Sequence, residues 1–172
     1  MIKLLELYQS RRYHYYLDLD GVLCAFEQAV KDLAIENNLN PNTILNSDEK
    51  WKLINQRGVS FWAEMDWMPD GQKLWNLIKK LDPTVEILTA KPRLDYGISK
   101  AGKIEWVKSH LGQTVKCNVC LSNDKQQWAE FDTILIDDKP SNIQSFTNKG
   151  GIGILYTTFP NLVKDLKALN LI

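Results

Sequence analysis

The 172-residue sequence predicts an α/β fold: a parallel β-sheet with helices between its strands and a small helical insertion after the first strand. Two observations carry that expectation. Short apolar runs, rich in β-branched residues or leucine, alternate with stripes of helical period, and one long interval after the first run holds no strand. The composition agrees, since 44% hydrophobic and 24% charged residues are ordinary for a globular chain and argue against disorder. The length holds one substantial core with a small insertion and leaves little room for two full domains.

Residues 13–19 read as a buried strand running into Asp18-Leu19-Asp20-Gly21-Val22-Leu23. Residues 25–68 then form the insertion, with Phe26, Val30 and Leu33 on one helical face, a polar middle and an aromatic end. The core is accordingly expected over 1–24 and 69–172, with a helical cap over 25–68. Pro69 and Asp70 open a helix whose Leu74, Leu77, Ile78 and Leu81 fall at i, i+3, i+4 and i+7. Strands follow at 85–88, 119–121, 133–136 and 152–156. Between them Ile104, Val107 and Leu111 make a second stripe, Gly150-Gly151 marks the turn into the last strand, and Leu162, Leu166 and Leu169 make a final helix starting near Pro160.

Carboxylates gather at the predicted strand ends. Alternation along the first strand points Asp18 and Asp20 to one side, and Gly21 permits a sharp turn after them. A helix cap followed by a turn would explain an isolated Asp-x-Asp-Gly. The run Thr133-Ile134-Leu135-Ile136, however, ends in a second acidic pair, Asp137-Asp138. Ligands of open α/β sheets bind at the carboxyl ends of the strands, so four carboxylates would converge there. A hard cation relieves such crowding, and Mg²⁺ fits best because it takes a few carboxylates together with water and phosphate oxygens. Thr89, ending another strand, and Lys125, in a following loop, supply a hydroxyl and a point charge for the same oxygens.

These residues carry a resemblance. Asp18-Leu-Asp20-Gly-Val, Ile87-Leu-Thr89, Lys125, and Ile134-Leu-Ile-Asp137-Asp138 with Asn142 resemble the four ordered motifs of the haloacid dehalogenase superfamily. Their order differs from that of response-regulator receivers, which place an acidic pair first and the phosphorylated Asp later. The resemblance implies a Rossmann-like sheet with a cap inserted after strand 1. Within the superfamily, Asp18 through Phe26, Phe61-Trp62, Met68-Pro69-Asp70-Gly71, Ile104-Glu-Trp106-Val and Leu135-Ile-Asp-Asp-Lys139 are similar to the 5′(3′)-deoxyribonucleotidase family. Two positions depart from it: Thr89 is followed by Ala90, and Asn123-Asp124 precede Lys125 where the family has a basic residue.

The likeness implies Mg²⁺-dependent hydrolysis of a phosphomonoester, with Asp18 as nucleophile and Asp20 as general acid and then base. Mg²⁺ would be held by Asp18, the backbone carbonyl of Asp20, and Asp137 and Asp138, one of that pair directly and the other through water. Thr89 and Lys125 would hold the phosphoryl oxygens. Among the cap aromatics, Phe26, Phe61 and Trp62 are the candidates for contact with a base, although most such rings serve the cap's own packing. The expected substrate is a nucleoside monophosphate. A sugar phosphate or a nucleic-acid 3′ end is the alternative, and a catalytically silent phosphate- or protein-binding domain is a reading of another class.

With 21 basic and 21 acidic residues the formal charge is zero, which excludes a broad nucleic-acid-binding surface. Residues 1–12 mix charges among leucines, so no secretory apolar run is expected, and no stretch is long and apolar enough for a membrane span. The three cysteines, Cys24, Cys117 and Cys120, are too few for a disulfide framework and suit a reduced cytoplasmic setting. Cys117-x-x-Cys120 has metal spacing, but no second pair completes a zinc site. His110 is expected to meet helix-terminal carbonyls, and Lys79-Lys80 and Lys100–Lys103 to be solvated helix faces. Homodimerisation is left open.

Overall fold

The structure, a computed structural model, describes residues 13–93 and 97–172. The stretch 1–12, expected to lack a secretory apolar run, lies outside the described residues. Five parallel strands form one sheet: β1 (His14–Leu17), β2 (Glu86–Ala90), β3 (Cys117–Cys120), β4 (Thr133–Asp137) and β5 (Ile152–Leu155). Their order across the sheet is β3-β2-β1-β4-β5. Chain order thus runs outward from β1 to one side and then resumes on its other side at β4. The registers Leu17↔Ile87 and Leu17↔Ile136 set the strand ends level across this switch.

Seven helices lie among the described residues: α1 (Phe26–Glu36), α2 (Glu49–Arg57), α3 (Val59–Ala63), α4 (Gly71–Leu81), α5 (Ile98–His110), α6 (Pro140–Asn148) and α7 (Phe159–Ala168). Alternation divides the strands into two apolar faces. Tyr15, Leu17, Ile87, Ile134 and Ile136 share a core with Leu74, Ile78, Trp106, Val107, Leu162 and Leu166 of α4, α5 and α7. Leu88 and Leu135 face Phe146 and Ile143 of α6, with Trp128 beside them. Burial on both faces explains why β4 reads as an unbroken buried run, and each fully buried Leu or Ile stabilises by about 1.5–3 kcal/mol.

Several expectations shift. The third strand sits earlier than 119–121, and α6 appears where no apolar stripe announced it; Pro140 at its start presets the helical φ. The buried face of α5 is Ser99, Gly102, Lys103, Trp106 and Val107, a pattern of i, i+3, i+4, i+7 and i+8, while Ile104 and Leu111 are only partly buried. Lys103 is therefore no part of a solvated face. It is fully buried, and Lys100 alone of that pair is exposed.

Helices α1 to α3 lie in the chain between β1 and α4, and their Val30, Leu33, Ile54, Phe61 and Trp62 join the same core as the sheet. Ala25 N donates to Asp66 O at 2.9 Å and Met68 N to Leu23 O at 2.7 Å, so the two ends of this segment are bonded side by side. Helix α3 packs on α5 so closely that a Cβ on Gly102 would lie 2.5 Å from Trp62 Cβ and 2.5 Å from Val59 O. Trp106 Nε1 donates to Met65 O at 2.7 Å beside this contact.

Candidate active site

The end of β1 turns where the sheet order reverses. Asp18 N donates to Ile136 O at 2.9 Å as the last rung toward β4. Leu19 O then accepts from Leu23 N at 2.9 Å and Cys24 N at 2.8 Å, closing a tight turn. Gly21 takes φ +75°, and its missing Cβ leaves room for the Asp138 carboxyl, so backbone freedom and close approach are both needed there.

Asp18, Asp137 and Lys125 form a buried cluster. Lys125 Nζ, from the 3₁₀ segment Ser122–Trp128, lies 2.9 Å from Asp18 Oδ1 and donates to Asp137 Oδ2 at 2.6 Å. Leu19 N also donates to Asp18 Oδ1, at 2.8 Å. Asp137 is held further by Lys139 N at 2.8 Å on Oδ1 and by Asn142 Nδ2 at 3.1 Å on Oδ1 and 2.9 Å on Oδ2. Ser122 Oγ donates to Asn142 Oδ1 at 2.8 Å, fixing the amide's orientation. Burial favours the neutral amine of Lys125, but Asp18 and Asp137 outweigh it and hold the proton more firmly than on an ordinary lysine.

The second buried ammonium belongs to Lys103, which sequence reasoning placed in solvent. Its Nζ donates to Asp20 Oδ2 at 2.6 Å, to Ala90 O at 2.6 Å and to Thr89 Oγ1 at 3.1 Å, and it stands 4.9 Å from the Trp62 ring centroid. A lysine in register with Trp106 and Val107 was the available signal. Burial, reinforced by Asp18, raises the proton affinity of Asp20 in spite of Lys103.

Asp18, Asp20 and Asp138 open into a cavity of about 890 Å³. Phe26, Trp51 and Trp62 line it opposite the strand ends, with Lys31, Lys91 and Lys139 also on its walls. Phe26 and Trp62 stack at 5.5 Å with planes 17° apart. Phe61 meets both rings edge-on, at 6.0 and 5.1 Å, and lines a separate groove between α1 and α3 instead. Of the nine predicted site residues, Phe61 is thus set behind the cavity wall, while Thr89, Lys125 and Asp137 are buried beneath the floor.

Asp18, Asp137 and Asp138 each offer a carboxylate oxygen within 4.8 Å of the others. Desolvation, with Asp18 and Asp137 close by, pushes the Asp138 carboxyl up to about 7. One ammonium against three carboxylates leaves a deficit that a hard, oxygen-seeking cation such as Mg²⁺ fits. Cys117 and Cys120 belong to no comparable cluster among the described residues, and burial pushes both thiols up to about 11, which leaves them protonated and unreactive. His110 Nδ1 lies 2.9 Å from Trp106 O, near the helix end as expected. Among the described residues no helix is long and apolar enough to cross a membrane.

No curated protein matches the sequence. The fold matches a hydrolase from Streptococcus pneumoniae TIGR4 with a TM-score of 0.56 and 13% identity, over 91% of this chain and 99% of that one. A predicted HAD-like family hydrolase from Porphyromonas gingivalis aligns with a TM-score of 0.48 and 14% identity, over 94% of this chain and 98% of that one. The model of the family described as 5′ nucleotidase, deoxy (Pyrimidine), cytosolic type C protein matches residues 12–165. That match spans all four motifs, from Asp18 to Asp138, together with the aromatic wall of the cavity. The chain accordingly belongs to the cytosolic type C 5′-nucleotidase family.

Proposed function

We propose that the protein hydrolyses nucleoside monophosphates, deoxyribonucleotides among them, through a phosphoryl-enzyme on Asp18 with Mg²⁺ as cofactor. The observation that carries this reading is the cavity itself, which joins Asp18 and Asp20 on one side to the Phe26–Trp62 stack on the other. The family's name, with its 5′-nucleotidase and its pyrimidine, supports the substrate class. Residues 25–68 then serve as the cap that shields the reaction from bulk water and excludes polymers. The likeness to a cytosolic family and the reduced cysteines support a cytoplasmic setting.

Asp18, Asp137 and Asp138, with the Asp20 carbonyl, would hold Mg²⁺, which when bound neutralises charge on the phosphoryl oxygens and on the carboxylate cluster. Lys125 and the Leu19 amide both engage Asp18 Oδ1, leaving Oδ2 to attack phosphorus. As the Oδ2–P bond forms and the ester P–O bond breaks, Asp20 gives its proton to the departing alkoxide. Water then attacks the aspartyl-phosphate, Asp20 takes its proton, and inorganic phosphate and free Asp18 are regenerated. The elevated proton affinity of Asp20 suits the first of these roles. Thr89 and Lys125 steady the phosphoryl oxygens, the main source of rate in phosphoryl transfer. Phe26 and Trp62 stack the base, and Phe61 backs them.

Phosphate release from a panel of nucleoside and sugar monophosphates, with and without Mg²⁺, tests the reading. Wild-type protein should release phosphate from nucleotides in a Mg²⁺-dependent way, and Asp18→Asn and Asp20→Asn should each abolish turnover while melting like the wild type. Silence across the whole panel would favour a phosphate-binding module, and substantial activity in Asp18→Asn would exclude the covalent route.

A further inference from the structure

We propose that Lys103 is a positioning residue that fixes the proton-donating geometry of Asp20. The assignment rests on the phosphatase reading above. A buried ammonium persists only where each of its three N–H groups finds an acceptor. Here the acceptors are Asp20 Oδ2, the Ala90 carbonyl and Thr89 Oγ1, and the Trp62 ring covers the remaining side. The ammonium is thereby saturated by the machinery itself, and its reach is defined by α5, which Gly102 allows to approach Trp62 closely.

The arrangement makes the two oxygens of Asp20 unequal. Oδ2 is held by Lys103, whereas Oδ1 is buried with no hydrogen-bond partner among the described residues. With one oxygen pinned by a fixed ammonium and the other enclosed, the carboxyl of this cavity-lining residue is held in one orientation, which fixes where its proton is presented to an alkoxide leaving group. Thr89 Oγ1 and the Ala90 carbonyl accept from the same ammonium, so the end of β2 anchors Lys103 beneath the cavity floor. The two buried lysines thus divide the work. Lys125 steadies the nucleophile Asp18, and Lys103 orients the acid Asp20.

The test compares two esters that differ in their need for the acid. A nucleoside 5′-monophosphate expels a basic alkoxide that must be protonated, whereas p-nitrophenyl phosphate expels a weakly basic phenolate that leaves unaided. Because kcat/KM reports the first phosphoryl transfer, Lys103→Met should lower it about 100-fold for the nucleotide but within about fivefold for p-nitrophenyl phosphate. Lys103→Gln, which keeps a donor, should fall between Lys103→Met and wild type on the nucleotide. Equal losses on both esters, or no loss on either, in variants that melt cooperatively would overturn the positioning role, as would failure of both variants to fold. A wild-type protein that releases phosphate from neither ester would instead overturn the phosphatase reading, and this assignment with it.

Discussion

Asp138 shows how a single carboxyl ties the site to pH. Its proton affinity in the folded chain lies near 7, well above the ordinary carboxylate value of about 3.9. Between those limits the unfolded chain has lost the proton that the folded chain still holds, so metal-free stability falls as pH rises through this window. A cation that replaces the proton reverses the trend. Thermal unfolding should therefore show a metal-free midpoint that declines from pH 5 to pH 8, a Mg²⁺ stabilisation that is large at pH 8 and small at pH 5, and a flattening of both in Asp138→Asn. A Mg²⁺ shift equal at the two pH values would contradict the ligand role. At this scale the acidic residues were legible because Asp-x-Asp-Gly and Asp-Asp end apolar runs, where uncompensated charge is costly. Lys103 was misread, because a lysine on a helix is ordinarily solvated and its acceptors come from β2 and the loop after β1.

Helix α5 shows why one small residue governs an element. Gly102 lets α5 meet α3 at backbone distance, and the neighbouring Trp106 donates to Met65 O across the same contact. Gly102→Ala gains helix propensity but forces Trp62 Cβ and the Val59 carbonyl aside, a net cost of about 1–2 kcal/mol, or about 2–8 °C in Tm. Differential scanning calorimetry checks this, and an unchanged or raised Tm would show that the helices slip apart freely. Strand positions were readable from β-branched runs, whereas α6 was not. Its exposed face is polar and it buries few side chains, notably Phe146 and Asn142, too few to make a periodic signal.

For the whole molecule, the proposed base selectivity is tested where helices α1 to α3 meet the sheet ends. Phe26→Ala removes a ring from the Phe26–Trp62 stack, and base stacking worth about 1–3 kcal/mol corresponds to a loss of roughly 5- to 150-fold in kcat/KM for nucleotides. Ribose 5-phosphate, which has no base, should be hydrolysed equally by both proteins. A parallel loss on both substrates would support the sugar-phosphate alternative. The zero formal charge keeps its meaning as the absence of a broad basic surface, but a tally of Lys against Asp hides the two buried ammoniums at the site. By itself the sequence determined the alternation of strands and helices and the placing of four acidic residues at strand ends, since periodicity and charge at strand ends are local properties of a chain. The partner of Asp20, the retreat of Phe61 behind the cavity wall and the pairing of each lysine with its own carboxylate came from the folded chain alone. They depend on contacts between residues far apart in sequence, such as Asp20 with Lys103, whose energies belong to burial and geometry and leave no periodic trace in the residue order.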